Sequence, residues 1–393
     1  MTNESVKGFR DFTGEEAEKR EEIRKILVAT FEKYGFEPAE TPVIEYEDFV
    51  KGQNTEDEAV SDIFKLKDKG KRKLALRYEF TFQLKRIAKN KKLPYKRYQI
   101  GPVFRDEPVS ANRFRQFTQC DVDTIGSTVR DEAEVLALTC EALNKLGIKP
   151  CVLINNRKLM NEILDDNNVK KENKEQVLRE IDKYDELSES NVRNNLKKLG
   201  AENVLDCLKK GEKYFSQFPP YKEIISLMDY CRAYGLKVQF APSVVRGLSY
   251  YNGSVFEVKI QGSKDSIIGG GSFMVDDIQA TGLSFGLDRL SPVAKLKNEK
   301  EKYLIISLEQ DREAIKLAEK LRLSQVQSVS SKLGQGKEKN KIVSIFYGKP
   351  SKALEYANSY NYGKVIFVGS KEIKAKKFKV KDMKSGKESL LKV

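Results

Sequence analysis

Ile23, Ile26, Leu27, Phe31 and Tyr34 recur at the three- and four-residue intervals of one helix face. Thr13 and Glu16 have the layout of a capping box, and Gly35 is a natural stop, so a helix is expected over residues 13–35. The following stretch, 36–44, carries Pro38 and Pro42 and reads as extended chain. Residues 60–125 carry strand patterns with one helix at about 79–89, and 131–146 predict another helix. From about 155 to 233 the pattern is almost wholly helical and highly charged, broken near Gly200 and Pro219-Pro220. Strand patterns return at 236–240, 254–259 and 283–285.

After Lys295 the character changes. A charged linker, 296–302, leads into a strand at 303–308, a helix at 311–323, a strand at 342–347, a helix at 351–359 and a strand at 364–368. Residues 378–380 and 389–393 close a hairpin across Lys384-Ser385-Gly386-Lys387. Such alternation implies a small α/β domain. The segment 324–340 is polar, and the chain has no internal repeats.

One run combines a strand pattern with costly polar residues. If 113–123 is a strand, one face carries Arg113, Arg115, Phe117, Gln119, Asp121 and Asp123, and the other Phe114, Gln116, Thr118, Cys120 and Val122. Two guanidiniums, an amide and two carboxylates are costly to bury against an apolar core. They suit a ligand with phosphates, a flat base and an amino group; the bland alternative is a solvated hairpin with exposed ion pairs. Phe104-Arg105-Asp106-Glu107 reads as the partner strand, joined through a loop holding Pro108, Ser110 and Asn112.

Composition narrows the chemistry. With 393 residues, two or three domains and an ample core are expected. No apolar run reaches the length of a membrane helix, and Met1-Thr2-Asn3-Glu4 lacks a signal-peptide layout, so a cytoplasmic enzyme is expected. The five cysteines show no paired spacing, which argues against a disulfide framework or zinc site. Lys+Arg 72 against Asp+Glu 58 leaves +14; an RNA partner, or simply a charged surface, accounts for it. The chain has no histidine, so a Ser-His-Asp triad, an imidazole base and a His-ligated metal are excluded.

Val245-Arg246-Gly247-Leu248-Ser249-Tyr250-Tyr251-Asn252-Gly253 resembles a signature of histidyl-tRNA synthetases. Arg105 with 113–123 resembles motif 2 of class II aminoacyl-tRNA synthetases, and Gly282-Leu283-Ser284-Phe285-Gly286-Leu287-Asp288-Arg289 resembles motif 3. Leu76-Arg77-Tyr78-Glu79-Phe80-Thr81 and Ile267-Ile268-Gly269-Gly270-Gly271 resemble two further family segments, and Pro42 sits in a stretch like the dimer-forming motif 1. The matches fall in the family's order over most of the chain. The resemblance implies an α+β fold: a class II antiparallel sheet flanked by helices, in two parts (1–150 and 235–295), a helical insertion (151–234) and a C-terminal α/β anticodon-binding domain (303–393). It implies a homodimer.

It also implies a reaction. L-histidine attacks the α-phosphate of ATP, giving histidyl-adenylate and pyrophosphate, and tRNA then takes the histidyl group; Mg2+ bridges the phosphates. By position in the motifs, Arg105 and Arg246 share the α-phosphate, and Arg289 holds the γ-phosphate. Arg113 reaches the outer phosphates, Glu107 meets the adenine edge and Phe117 stacks on its face. Glu79, Thr81 and Gln119 match the positions that hold the α-ammonium, beside Phe80. Asp123 and Tyr251 pair with the imidazole nitrogens, with Tyr250 beside them. Tyr250 and Tyr251 are otherwise core aromatics, and Asp121 is a supporting rather than a ligating residue. No protein base is required, because the nucleophile is the substrate's carboxylate, ionised near neutral pH.

Several positions depart from the family's pattern. Tyr78 stands where proline is frequent, Phe80 where a small residue is, and Ser249 where aspartate is. After Gly269-Gly270-Gly271 the family usually reads Arg-Tyr-Asp, whereas this chain has Ser272-Phe273-Met274. The alternative reading is a catalytically idle paralogue serving as a regulatory subunit in histidine biosynthesis. It is opposed by the retained Arg105, Arg246 and Arg289 and by the presence of residues 303–393.

Overall fold

The computed structural model describes residues 3–51, 62–110, 113–185, 187–245, 250–263, 266–296, 301–329 and 341–392. Two compact units are present, Met1–Leu296 and Lys297–Val393.

In the first unit, strands β1 (Glu37–Pro38), β2 (Ile44–Tyr46), β3 (Lys65–Lys67), β4 (Lys73–Leu76), β5 (Tyr95–Phe104), β6 (Gln116–Ile125), β7 (Pro150–Asn156), β8 (Val238–Phe240), β9 (Tyr251–Ile260), β10 (Ser266–Val275) and β11 (Ile278–Gly286) build two sheets. The larger has the order β1-β5-β6-β11-β10-β9-β7-β8, and β2-β4-β3 form a small antiparallel sheet. The six central strands of the large sheet are mutually antiparallel; β1 and β8 add parallel edges. The α+β class with an antiparallel core is therefore as expected.

Alternation along the strands divides the sheet. Tyr98, Cys120, Val122, Leu283 and Phe285 point to one face, where they pack with Ile23, Leu27 and Phe31 of the helix Gly14–Lys33 and with the helix Val129–Lys145. Arg97, Gln99, Gln119, Asp121, Asp123 and Ser284 belong to the opposite face, as their register shows: Arg97 opposite Asp123, Gln99 opposite Asp121, and Asp121 opposite Ser284. At the far end of that face Tyr251, Phe273, Ala280 and Ile125 form a smaller apolar cluster.

The second unit holds β12 (Glu301–Ser307), β13 (Lys341–Tyr347), β14 (Lys364–Val368), β15 (Lys377–Asp382) and β16 (Glu388–Lys392) in the order β13-β12-β14-β15-β16. β12 runs parallel to β13 and β14, and β15 and β16 are antiparallel. Ile305 and Ile366 face one apolar layer, Leu304, Ile306 and Val365 the other. This is the expected α/β pattern, with one unforeseen helix, Ser370–Ala375.

Several local expectations need correction. Thr13 caps the first helix by backbone position but makes no side-chain cap bond, and Glu16 instead pairs with Arg10. The helix foreseen over 79–89 shrinks to Leu84–Ile87, because the Phe80 carbonyl accepts from the Arg97 guanidinium at 3.2 Å and draws this segment across the sheet. Phe104–Glu107 is not the partner strand. β5 ends at Phe104, so Arg105 and Glu107 lie just past a strand end, with one more bond from the Arg105 amide to the Arg115 carbonyl at 2.9 Å. The stretch foreseen as a helical insertion from 151 opens with β7, which is paired inside the large sheet. The helix expected at 311–323 runs to Val329. Asn112 and residues 330–340 lie outside the described residues.

Candidate active site

The polar face of β5, β6 and β11 is floored by a chain of contacts. Gln119 Nε2 donates to Ser284 Oγ at 2.7 Å, and Ser284 Oγ donates to Asp121 Oδ1 at 2.6 Å. Ser284 has one proton and spends it on Asp121, which turns the amide nitrogen of Gln119 toward Ser284 and leaves its oxygen unbonded. Arg97, with no solvent exposure, lies 2.6 Å from Asp123 Oδ2 as an ion pair. The approach is not aligned along an N–H, so Oδ2 makes no hydrogen bond. Burial raises the carboxyls of both Asp121 and Asp123 above the usual carboxylate range, and Arg97 opposes this for each.

Space for these groups comes from missing side chains. A Cβ on Gly282 would lie 2.0 Å from Asp123 Oδ1, and one on Gly101 2.7 Å from Arg77 Nη2. Arg77 is thereby fastened to the Pro102 and Thr41 carbonyls at 2.7 and 2.8 Å, tying the stretch after β1 to the end of β5.

Glu79 enters this face from the turn after β4. It is buried, and burial lifts its carboxyl to about 7, against the pull of Arg105 and of hydrogen bonds from Thr81 and Tyr250. Its Oε1 has no hydrogen-bond partner. Phe80 does not line the site with its ring. The ring is fully buried beneath Arg77, 4.8 Å from the guanidinium, so only its carbonyl acts here, on Arg97. The Tyr250 and Tyr251 rings lie 4.7 Å apart, and Tyr250 meets Phe273 edge-on at 5.8 Å. Tyr251 is set in the apolar cluster, while the Tyr250 hydroxyl is turned to Glu79, Thr81 and Tyr251, with burial and Glu79 pushing its pKa well up.

Arg105 lies at the rim, held between two rings: 4.3 Å from the centre of Tyr78 and 5.1 Å from that of Phe117. Its Nη1 is 3.9 Å from Glu107, and its Nε is buried without a partner. Burial pushes Tyr78 up to about 12, so its ring stays neutral under the guanidinium. Arg113 is exposed in the connection between β5 and β6, bridged to Ser110. Arg289 is exposed in the helix Leu287–Val293, where Nη1 donates to the Ser266 carbonyl at 3.3 Å. Arg246 and Ser249 lie outside the described residues.

The structure thus brings Glu79, Thr81, Gln119, Asp123, Tyr250, Tyr251 and Arg105 around one polar floor, with Glu107 and Phe117 beside Arg105. Gln119, Asp121 and Asp123 are more withdrawn than a ligand-facing strand suggested: each is buried. What makes this possible was missed in the sequence, namely Arg97 and Ser284. Arg97 had a readable signal, an arginine two residues from Gln99 on one strand face. A second unforeseen tie is Arg20. It pairs with Asp288 at 3.0 Å and donates to Thr118 Oγ1 at 3.2 Å, while Asp288 accepts from the Thr118 amide at 2.8 Å. This locks the Arg289 helix onto β6.

A family model described as Histidyl-tRNA synthetase matches residues 8–290. A histidine–tRNA ligase 1 of Bacillus cereus is 32% identical over 425 residues, covering 99% of this chain and 95% of the relative. A histidine–tRNA ligase of Methanocaldococcus jannaschii is 32% identical over 417 residues, with 98% and 96% covered. The crystal structure of a histidyl-tRNA synthetase from a Nostoc species has a TM-score of 0.82 at 22% identity, covering 100% of this chain and 97% of that one. An ATP phosphoribosyltransferase regulatory subunit/histidyl-tRNA synthetase from Bacillus halodurans has a TM-score of 0.75 at 23% identity, covering 93% and 98%. At these identities the two structures bear on the fold. The family model and the near-full-length relatives bear on descent, and on that ground the chain belongs to the histidyl-tRNA synthetase family.

Proposed function

We propose that this chain is an ATP-dependent histidine–tRNA ligase working through a histidyl-adenylate. The observation that carries the reading is the polarity of what is missing on the floor. Glu79 Oε1, Gln119 Oε1 and Asp123 Oδ2 are buried acceptors without hydrogen-bond partners, and Arg97 Nε, Arg97 Nη1 and Arg105 Nε are buried donors without them. Unmade bonds at buried polar atoms cost about 1–3 kcal/mol each, so the floor favours a ligand that brings both N–H donors and anionic acceptors, as an amino acid does. The α-ammonium of histidine goes to Glu79 and Gln119 beside Thr81, and the imidazole to Asp123 and Tyr251 beside Tyr250. A pocket of this kind discriminates against analogues that leave its acceptors empty.

Arg105 and Arg246 hold the α-phosphate and the histidine carboxylate between them, so that attack is chiefly a matter of alignment and charge. Rings on both sides of Arg105 fix its fork before substrate arrives. Glu107 and Phe117 take the adenine, and Arg113 and Arg289 the outer phosphates. Mg2+ enters as part of the Mg–ATP substrate; no cluster of three or more His, Cys, Asp or Glu able to hold a metal occurs among the described residues. The division into catalytic parts (1–150, 235–295), an insertion (151–234) and a tRNA-binding 303–393 belongs to the same proposal.

The active form is a homodimer joined around Pro42. Val43, Ile44, Tyr46 and Leu66 leave apolar surface exposed on the small β2-β4-β3 sheet, Tyr46 by 58%. A cytoplasmic site of action fits a tRNA substrate, and no described helix is long and apolar enough to cross a membrane. ATP–pyrophosphate exchange across the twenty amino acids tests the reading. Exchange with histidine alone, followed by charging of tRNA, is the expected result; no exchange with any amino acid would favour the regulatory paralogue.

A further inference from the structure

The opposite face of the large sheet contains a separate cavity of about 360 Å³, lined among others by Glu132, Ser272, Ser254, Lys158, Glu223 and Lys222. It does not belong to the site described above. Gly271 and Phe273 pair with Gly282 and Ala280 on the substrate face, so Ser272, which pairs with Thr281, points the other way. Glu132 comes from the first turn of the helix Val129–Lys145, where the helix dipole favours a negative charge.

The charges around this cavity are not balanced atom by atom. Glu223 is satisfied on both oxygens, by Asn156 Nδ2 and Lys158 Nζ, each at 2.8 Å. Lys158 is thereby committed, and Lys222 is exposed at the rim. Glu132 is 8% exposed, and burial pushes its carboxyl above the usual range, against the hydroxyls of Ser272 and Ser254. Its Oε1 accepts from Ser272, and its Oε2 makes no hydrogen bond of good geometry among the described residues. The cavity therefore ends on a buried carboxylate oxygen in need of a donor. A longer side chain at residue 272 would reach toward Glu132, and serine leaves that space open.

We propose that this cavity binds a small organic cation carrying N–H donors, a guanidinium or a primary ammonium, which supplies Glu132 Oε2 with the donor that the described residues do not. Such a ligand places its N–H groups on Glu132 Oε2 and on the hydroxyl rim of Ser254 and Ser272. A quaternary ammonium has no donor to offer and is not accepted.

The test uses the full-length protein and thermal unfolding with methylguanidinium or methylammonium chloride, against tetramethylammonium and sodium chloride at equal ionic strength. Expected is a saturable rise in Tm for the first two, about 2 °C at a tenfold excess over Kd, and none beyond the salt effect for the others. The rise should vanish in Glu132→Gln, which keeps the shape and the Ser272 contact. It should also vanish in Ser272→Arg, whose own guanidinium fills the cavity and which should melt higher than the parent without ligand. Binding at the Glu79–Asp123 floor would persist in both variants, so an undiminished shift in either one overturns the proposal, as does an equal shift with tetramethylammonium. The readout needs no aminoacylation and stands apart from the proposed activity.

Discussion

Replacing Glu79 with glutamine should make the protein more stable while removing its grip on the α-ammonium. The buried carboxyl has its pKa raised from 4.5 to about 7, burial being the largest cause. Between those values the folded chain holds a proton that the unfolded chain has released, so stability falls as pH rises from about 4.5 to 7 and is level above. At about 1.4 kcal/mol per pH unit, that interval amounts to about 3 kcal/mol. Glutamine has the shape of the protonated carboxyl and does not titrate. Glu79→Gln should therefore match the parent near pH 4.5 and exceed it by about 3 kcal/mol at pH 7.5, read from urea unfolding over a pH series. In the same variant the KM for histidine in pyrophosphate exchange should rise at least tenfold. In the parent, that KM should fall as pH rises through about 7, because the ammonium needs the ionised carboxylate. Stability curves that run parallel across the pH range would refute the argument from burial. An unchanged KM would remove Glu79 from the substrate site.

Gly282→Ala places a Cβ 2.0 Å from Asp123 Oδ1 and 2.7 Å from the Val122 carbonyl; a stability loss of about 1–3 kcal/mol in urea unfolding and a raised KM for histidine are expected. Arg20→Met strands Asp288 in a largely buried setting and should cost about 3–5 kcal/mol in the same assay, part of it restored by adding Asp288→Asn. Arg246→Ala should raise the barrier to adenylate formation by about 3–4 kcal/mol without changing the unfolding midpoint, measured by pyrophosphate exchange and urea unfolding. Deleting residues 300–393 should leave part of the pyrophosphate exchange and depress charging of tRNA. Binding of tRNA to the full-length chain should weaken steeply with added salt.

Much of this was readable because it depends on short periods. The alternation at Phe117, Gln119, Asp121 and Asp123 against Cys120 and Val122 was visible in one strand, and β6 keeps it through Ile125. The helix spacing at Ile23, Leu27 and Phe31 likewise matches the buried face of Gly14–Lys33. Strand boundaries were less readable. The Arg105 run had the composition of a strand, yet β5 lies upstream, because pairing with β6 and not local preference decides where a strand ends. The glycine run at 269–271 reads in sequence as a motif and not as a strand, since glycine carries no β-propensity; its place in β10 comes from the close neighbours on β11.

The one-dimensional chain thus determined the order of its parts, the side of β6 that carries charge, and the residue types available for chemistry without histidine. Tertiary structure alone decided how those charges are tolerated. Arg97 meets Asp123 across the β5–β6 pair, and Ser284, far away in sequence, joins Gln119 to Asp121. Whether an acid such as Glu79 carries a proton near neutrality depends on burial and on the groups that surround it in space. Ser272 reads in sequence as a small residue beside the glycines 269–271, yet the pleat of β10 turns it to the far side of the sheet, to Glu132. Local pattern sets which way successive side chains alternate; only the packed sheet sets what each of them meets.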